Sequence, residues 1–205
     1  IGGTVGEYEN LLFLEADRIM KFYHPKDVLT VIVSYLPIPK MIGEMKTKPT
    51  QHAVRNLQGA GIQPDLIIAR SEKSLDMHRK EKLALNCNVA IEDVISAPDA
   101  DSIYDIPLNF EKDNISKRIL DKLSLPVRNK QASNADWKKM VAMIKNPKHQ
   151  VDIGIVGKYF SSGDFSLTDS YISVIEAVKH AGAINQTKVN LRWLNAEDVE
   201  REGTK

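Results

Sequence analysis

A short basic segment, GEMKTKPTQH at positions 43–52, carries the side chains with the clearest chemical use. Pro49 suits the first position of a helix, and the apolar spacing of Val54 and Leu57 continues that helix. The first N–H groups of a helix carry a partial positive charge, so a helix start flanked by lysines suits a polyanion such as a triphosphate. An exposed basic turn before a surface helix is the alternative. The segment combines ammonium, hydroxyl and amide groups, supplied by Lys46, Lys48, Thr47, Thr50 and Gln51.

A parallel sheet would position this segment. Residues 27–36 (DVLTVIVSYL) and 65–69 (DLIIA) are apolar and rich in β-branched residues, which is typical of parallel strands buried on both faces. With the helix between them they form a βαβ unit with a right-handed crossover. Ligands of such sheets bind at the carboxyl ends of the strands, where the loop with Lys46 emerges.

The later sequence continues the alternation of helices and strands, and the polar stretch 126–133 predicts a linker. The short apolar segment at 83–89 resembles a strand and carries Cys87, which we interpret as a buried structural thiol. The other predicted elements are a charged helix at 74–85, a strand at 91–96, helices at 109–123 and 136–144, and a strand, a helix and a strand at 151–157, 167–180 and 188–194.

Composition and charge exclude several classes of protein to which this chain could belong. The 205 residues are 42% hydrophobic, which is enough for one large domain or for one domain and part of another. The formal charge of +1 gives no general attraction for nucleic acid. No apolar run reaches the length that spans a membrane. Because a single cysteine excludes an internal disulfide, we expect a cytoplasmic protein.

Several strings lie in a recognisable order along nearly the whole chain: IGGTVGEYEN at 1–10, GEMKTKPTQHAVRNL at 43–57, KLALNCNV at 82–89, VISAPDADSIYDIP at 94–107 and VDIGIVGKYF at 151–160. Together they resemble the CTP synthase family, glutamine-dependent ligases that aminate UTP. The segment from 151 onward also resembles the start of a class I glutamine amidotransferase domain.

The resemblance implies an α/β fold and a division of the chain. Residues 1–125 would be the C-terminal part of a parallel-sheet, P-loop-NTPase-like (Rossmann-like) synthetase, or amidoligase, domain. Residues 126–150 would be an interdomain linker with a helix, and residues 151–205 would begin the amidotransferase α/β domain. The chain would then be a middle segment, with the phosphate-binding loop and the glutaminase triad outside it, so we expect no catalytic residue and no metal ligand within it.

The resemblance also implies two nucleotide sites. It assigns contacts to the ATP adenine at Pro98, Asp99 and Ala100, although that segment is also compatible with a plain turn. Instead of a nucleotide contact, Lys82 is also compatible with an ordinary solvated surface lysine. Glu7 and Glu9 are likewise compatible with the ordinary first turn of a helix. The family usually has Asp at position 7 and Ile at position 8. The implied UTP and CTP contacts are Glu7, Tyr8, Glu9, Lys46, Thr47, Lys48, Pro49, Thr50, Gln51 and Lys82.

The family's reaction would use ATP, UTP and L-glutamine, with Mg²⁺ as cofactor, and would give CTP. Its nucleotide site lies where subunits meet, which implies homodimers that associate to homotetramers. A pyrimidine-nucleotide-sensing or assembly module without catalysis is the first alternative. The second is a nucleic-acid-binding protein that uses Lys46, Lys48, Arg55 and Lys82, and the near-neutral charge argues against it.

Overall fold

The computed structural model describes residues 10–127, 134–158, 161–162, 165–166 and 171–203. The chain forms two compact units, Ile1–Ala132 and Ser133–Lys205. The predictions for Glu7, Tyr8 and Glu9 lie outside the described residues.

The first unit is built around three parallel strands, β1 (Val31–Tyr35), β2 (Leu66–Ser71) and β3 (Val94–Pro98), which lie in this order in the sheet. This arrangement confirms the predicted βαβ unit and the α/β class. The elements are α1 (Leu11–Tyr23), β1 (Val31–Tyr35), α2 (Lys48–Gly59), β2 (Leu66–Ser71), α3 (Met77–Cys87), β3 (Val94–Pro98), α4 (Ile106–Lys112) and α5 (Ile115–Lys122).

One face of this sheet forms the hydrophobic core. Ile32, Ile67 and Val94 occupy neighbouring register positions on the three strands, and all three are buried. They belong to the same buried cluster as Val54 and Leu57 of α2 and Leu83 of α3. Burial of each large aliphatic side chain contributes roughly 1.5–3 kcal/mol, so this cluster fixes the two helices against the sheet.

The first strand differs from the prediction of burial on both faces. Val31, Val33 and Tyr35 are 37%, 60% and 47% exposed, whereas Ile32 between them is 6% exposed. Successive side chains of a strand point to opposite faces, so only the face toward the core is covered here. The apolar, β-branched run therefore predicted the strand correctly, but the predicted burial of its second face was wrong.

The segment around Cys87 is helical and not strand-like. Leu83, Ala84 and Cys87 are buried with the spacing i, i+1, i+4, so they lie on one side of α3, while Leu85 is 84% exposed. The helix ends at Asn88, whose φ of 55° places it in the left-handed region. Four apolar residues were too few to separate a buried helical turn from a strand.

The helix predicted at 109–123 is two helices, α4 and α5, which are interrupted at Asp113 and Asn114. Asn114 has a φ of 53°, which an uninterrupted helix does not allow. The Asp113 carboxylate accepts hydrogen bonds from the Ser96 backbone N–H at 2.8 Å and from Lys80 Nζ at 2.7 Å. This long-range contact joins β3, α3 and the break between the two helices.

The strand predicted at 91–96 is displaced toward the C-terminus. Residues Ile91–Asp93 form a 3-10 turn, and β3 begins only at Val94. In the turn, the Asp93 N–H donates to the Ala90 carbonyl at 2.9 Å. The Asp93 carboxylate is paired with Arg118 at 3.5 Å and with Lys122 at 2.7 Å, so it contacts α5.

The second unit confirms the predicted strand, helix and strand. The strands β4 (His149–Gly157) and β7 (Thr187–Asn195) are parallel, and the helix α7 (Ile172–Ile184) lies between them in sequence. Gly182 of α7 lies so close to β7 that an added Cβ would be 2.7 Å from the Thr187 carbonyl oxygen. The helix α6, predicted at 136–144, packs against α7 within this unit. The elements are α6 (Ala135–Lys145), β4 (His149–Gly157), β5 (Ser161–Ser162), β6 (Phe165–Ser166), α7 (Ile172–Ile184), β7 (Thr187–Asn195) and α8 (Ala196–Glu202).

The Asp113 contacts generate a stability prediction. We expect Asp113→Ala to lower the free energy of unfolding by about 1–3 kcal/mol, because the Ser96 N–H and the partly buried Lys80 ammonium lose their acceptor. Urea unfolding followed by circular dichroism measures this change. Asp121→Ala on the exposed side of α5 is the control and should stay within about 0.5 kcal/mol. Equal effects of the two substitutions would contradict a structural role for Asp113.

Candidate nucleotide-binding site

The loop after β1 is held to the sheet by backbone hydrogen bonds. The Leu36 N–H donates to the Arg70 carbonyl at 2.7 Å, and the Lys46 N–H donates to the Pro37 carbonyl at 2.9 Å. Gly43 closes a turn on the Pro39 carbonyl with a φ of 67°, a conformation that favours glycine. The loop therefore returns to the carboxyl edge of the sheet just before α2 begins.

The first turn of α2 is anchored by two buried polar side chains. Thr50 is fully buried, and its hydroxyl lies 3.0 Å from the Ser34 hydroxyl of β1. Gln51 is 6% exposed and donates its amide to the Thr47 hydroxyl at 3.1 Å. These contacts fix the direction of the helix N-terminus, which begins at Lys48 with Pro49 in its first turn.

A cavity of about 500 Å³ lies at this helix start. It brings the basic loop together with one side of α3, more than thirty positions later in the sequence. This position beyond the strand ends is where parallel α/β sheets bind ligands. Its lining residues are Pro37, Glu44, Met45, Lys46, Thr47, Lys48, Pro49, His78, Arg79 and Lys82.

The predicted UTP and CTP residues divide into three groups. Lys46, Thr47, Lys48, Pro49 and Lys82 line the cavity. Thr50 and Gln51 are not among the described lining residues and instead make the buried contacts given above. The remaining three, Glu7, Tyr8 and Glu9, lie outside the described residues.

Sequence reasoning missed three charged or titratable residues of the cavity: Glu44, His78 and Arg79. Arg79 and Lys82 are three positions apart on α3, and this spacing places them on one side of a helix. That spacing is a signal that the sequence offered. It could not show which side of α3 faces the loop.

The electrostatics of the cavity centre on Glu44. A hydrogen bond from Lys46 holds the pKa of the Glu44 carboxyl below its usual range, and the positive charges of Lys46, Arg79 and Lys82 act in the same direction. Lys46 Nζ lies 2.6 Å from Glu44 Oε2, and a guanidinium nitrogen of Arg79 lies 3.7 Å from Oε1. The carboxylate is therefore ionised at neutral pH and surrounded by cations.

The predicted adenine contacts lie at the carboxyl end of β3. Pro98 pairs with Ser71 of β2, and the Asp99 N–H donates to the Ser71 carbonyl at 2.8 Å. The Asp99 amide is thus engaged within the sheet edge. Asp99 and Ala100 are exposed, and Asp99 Oδ1 lies 3.7 Å from the exposed guanidinium of Arg70. Arg70 is a further charged group that the sequence analysis did not single out.

Two kinds of feature are absent from the described part of the chain. It contains no group of three or more His, Cys, Asp or Glu residues arranged to hold a metal ion. The same residues include no helix with the length and apolar character needed to cross a bilayer.

Cys87 is fully buried on the core side of α3. Burial raises the pKa of its thiol to about 11, because the thiolate would lose its hydration. The thiol is therefore neutral at physiological pH, which fits a packing residue and not a nucleophile.

These features define a class of protein, an α/β domain with a cationic pocket at the carboxyl edge of a parallel sheet. The family model for the CTP synthase N-terminus matches residues 1–125. Because this match covers more than half of the sequence, the chain belongs to the CTP synthase family.

Curated relatives agree with this membership. CTP synthase of Methanococcus maripaludis is 48% identical over 201 residues, which is 98% of this chain and 36% of that protein. CTP synthase of Methanocaldococcus jannaschii is 48% identical over 203 residues, again 98% of this chain and 36% of the relative. CTP synthase of Pyrococcus furiosus is 47% identical over 206 residues, 100% of this chain and 37% of the relative. The chain thus spans about a third of the length of these relatives.

The burial of Cys87 generates a reactivity prediction. At pH 8 we expect a disulfide reagent such as DTNB to react with the folded protein at least about a hundredfold more slowly than with the urea-unfolded protein, because the buried thiol is neutral. Leu85→Cys in a Cys87→Ala background is the positive control, because position 85 is exposed on the same helix. Rapid reaction of Cys87 in the folded protein would contradict its burial.

Proposed function

We propose that the protein containing this chain is a CTP synthase, which aminates UTP with ammonia from glutamine hydrolysis at the expense of ATP. This chain would supply the site for the triphosphate of UTP and CTP. The observation that carries the proposal is the convergence of Lys46, Lys48 and Lys82 on one cavity at the start of α2. Family membership favours this function over a sensing module without catalysis.

In the proposed complex, the two loop lysines neutralise the phosphates and Lys82 assists from α3. The Thr47 hydroxyl and the N–H groups of the first helical turn complete the cradle. Thr50 and Gln51 stay predicted contacts, and their observed bonds to Ser34 and Thr47 support a second role in holding the helix start. Discrimination of the pyrimidine base falls to Glu7, Tyr8 and Glu9.

The proposed chemistry proceeds in two displacements. The uracil 4-oxygen attacks the γ-phosphorus of ATP, and ADP leaves. Ammonia then attacks carbon 4, and phosphate leaves with the former carbonyl oxygen. The residues of this chain act by binding and orientation, which dominate phosphoryl transfer. Pro98, Asp99 and Ala100 would contact the adenine, and Mg²⁺ would accompany the ATP phosphates.

We also propose the division of the chain into a synthetase part at 1–125, a linker at 126–150 and the start of an amidotransferase domain at 151–205. The extent of the family match supports the first boundary. The helix of the proposed linker, α6, packs on α7 of the second compact unit. L-glutamine would bind beyond the described part of this second domain.

Association of subunits is a further part of the proposal. The helix α1 exposes several large apolar side chains, a pattern that favours contact with another protein surface. We propose that it contributes to homodimers or homotetramers with nucleotide sites at the interface. A cytoplasmic location is proposed from the single thiol, which suits a reducing compartment. The exposed residues include Leu12, Phe13, Phe22 and Tyr23, which are 81%, 60%, 74% and 70% exposed.

The proposed site predicts nucleotide binding that depends on the loop lysines. Lys46→Ala and Lys48→Ala should each weaken UTP and CTP binding by about 1.5–3 kcal/mol, or roughly 10-fold to 150-fold, because each removes a charge-assisted contact. Calorimetric titration of the longest protein that contains this sequence measures the change. Lys117→Ala, an exposed lysine of α5 outside the cavity, is the matched control.

The same titrations separate the proposal from the nucleic-acid alternative. A pyrimidine site should prefer UTP to GTP, whereas a nucleic-acid surface should ignore the base and weaken steeply with salt. Unchanged UTP binding in both lysine variants would show that the loop is only a basic turn.

A further inference from the structure

One acidic side chain lies among the cations of the cavity. Glu44 is the carboxylate among the described lining residues, and Lys46, Lys48, Arg79 and Lys82 line the same space. A carboxylate in a site for phosphates is unexpected, because it repels the ligand that the lysines attract. The contacts of Glu44 with Lys46 and Arg79 indicate its role.

The Glu44 carboxylate is hydrogen-bonded to the Lys46 ammonium group, the group that would bind a phosphate. Lys46 Nζ donates to Glu44 Oε2 at 2.6 Å, so the ammonium group has an anionic partner within the protein. The lysine and glutamate side chains are 38% and 55% exposed, so solvent screens the pair and it is weak enough to exchange.

Arg79 contacts the other oxygen of the Glu44 carboxylate. A guanidinium nitrogen of Arg79 lies 3.7 Å from Glu44 Oε1. Arg79 is itself fixed, because its Nε donates to the Met45 carbonyl at 3.3 Å and its guanidinium pairs with Asp76, the N-cap of α3. The Arg79 side chain is only 22% exposed. Glu44 therefore has a fixed partner that it can keep when Lys46 leaves.

We propose that Glu44 is an exchangeable counter-ion of Lys46 that sets how strongly this site binds a polyphosphate. Glu44 holds the Lys46 ammonium group through their hydrogen bond. When a nucleotide binds, Lys46 exchanges the carboxylate for a phosphate, and Arg79 retains Glu44 beside the loop. Glu44 is a positioning residue and does not touch the reacting atoms. The inference rests on the proposed function and adds a residue that sets the affinity of the nucleotide site for its ligand.

The exchange favours ligands with several negative charges. A ligand must replace the contact with one ionised carboxylate, and the lowered pKa of Glu44 keeps that carboxylate charged at neutral pH. A monophosphate offers little more charge than the group it displaces. A triphosphate offers more charge and also reaches the other lysines of the cavity, so it recovers this fixed cost more fully than a monophosphate does.

The decisive experiment is Glu44→Gln, which removes the charge and keeps the size of the side chain. In the longest protein containing this sequence, we expect UTP and inorganic triphosphate to bind about threefold to fivefold more tightly, the range of an exposed ion pair. Uridine monophosphate should gain by a similar factor, because a ligand phosphate that binds Lys46 displaces the same carboxylate contact in both cases. Calorimetric titration of the three ligands measures these ratios.

Glu15→Gln is the matched control for this experiment. Glu15 is 52% exposed and pairs with Arg18 at 2.7 Å on α1, outside the lining of the cavity. This variant should leave all three affinities unchanged. Because both carboxylates are exposed, neither substitution should alter the thermal midpoint, and circular dichroism checks this.

The outcomes separate this inference from the proposed function. Unchanged or weaker binding in Glu44→Gln would overturn the counter-ion role, and weaker binding would mean that the carboxylate organises Lys46 for its ligand. If the parent protein does not prefer UTP to GTP, the proposed function fails. The response of inorganic triphosphate to Glu44→Gln would then still support or overturn the inference.

Discussion

The parallel pairing of β1, β2 and β3 is the constraint on which the candidate site depends. The register pairs Tyr35 with Arg70 and Ser71 with Pro98, so all three strands end at the same edge of the sheet. Backbone hydrogen bonds of parallel strands fix this alignment, and the hydrophobic side chains of one face fix the helices upon it. The loop with Lys46 and the residues after Pro98 therefore leave the sheet on one side, although more than forty positions separate them in the chain.

Polar residues of the basic segment have two distinct tasks. The lysines line the cavity, whereas Thr50 and Gln51 are buried and form hydrogen bonds with Ser34 and Thr47. Buried polar groups of this kind cost free energy unless they are paired, so their pairing selects one orientation of the helix start. A helix N-terminus held in one orientation fixes the backbone from which the lysine side chains extend, and this arrangement lowers the entropy lost when a ligand binds.

The cavity also shows how charge is controlled before a ligand arrives. Several cations close together repel one another, and one carboxylate reduces that repulsion. Glu44 has this position, and Arg79 connects it to α3 and to the backbone of the loop. The loop and the helix are thus joined by exposed ionic contacts that we propose change partners, in contrast to the partly buried contacts of Asp113, which hold the elements in place.

The α/β class, the alternating elements and the basic helix start were predictable from the sequence, because periodicity and residue type act over a few neighbouring positions. The family resemblance was also present in the sequence. The exposed face of β1, the break at Asp113 and the meeting of Arg79 and Lys82 with the loop became visible only in the folded chain. Each of these depends on contacts between residues far apart in the chain, and the energy of such contacts cannot be assigned until the fold has brought the partners together.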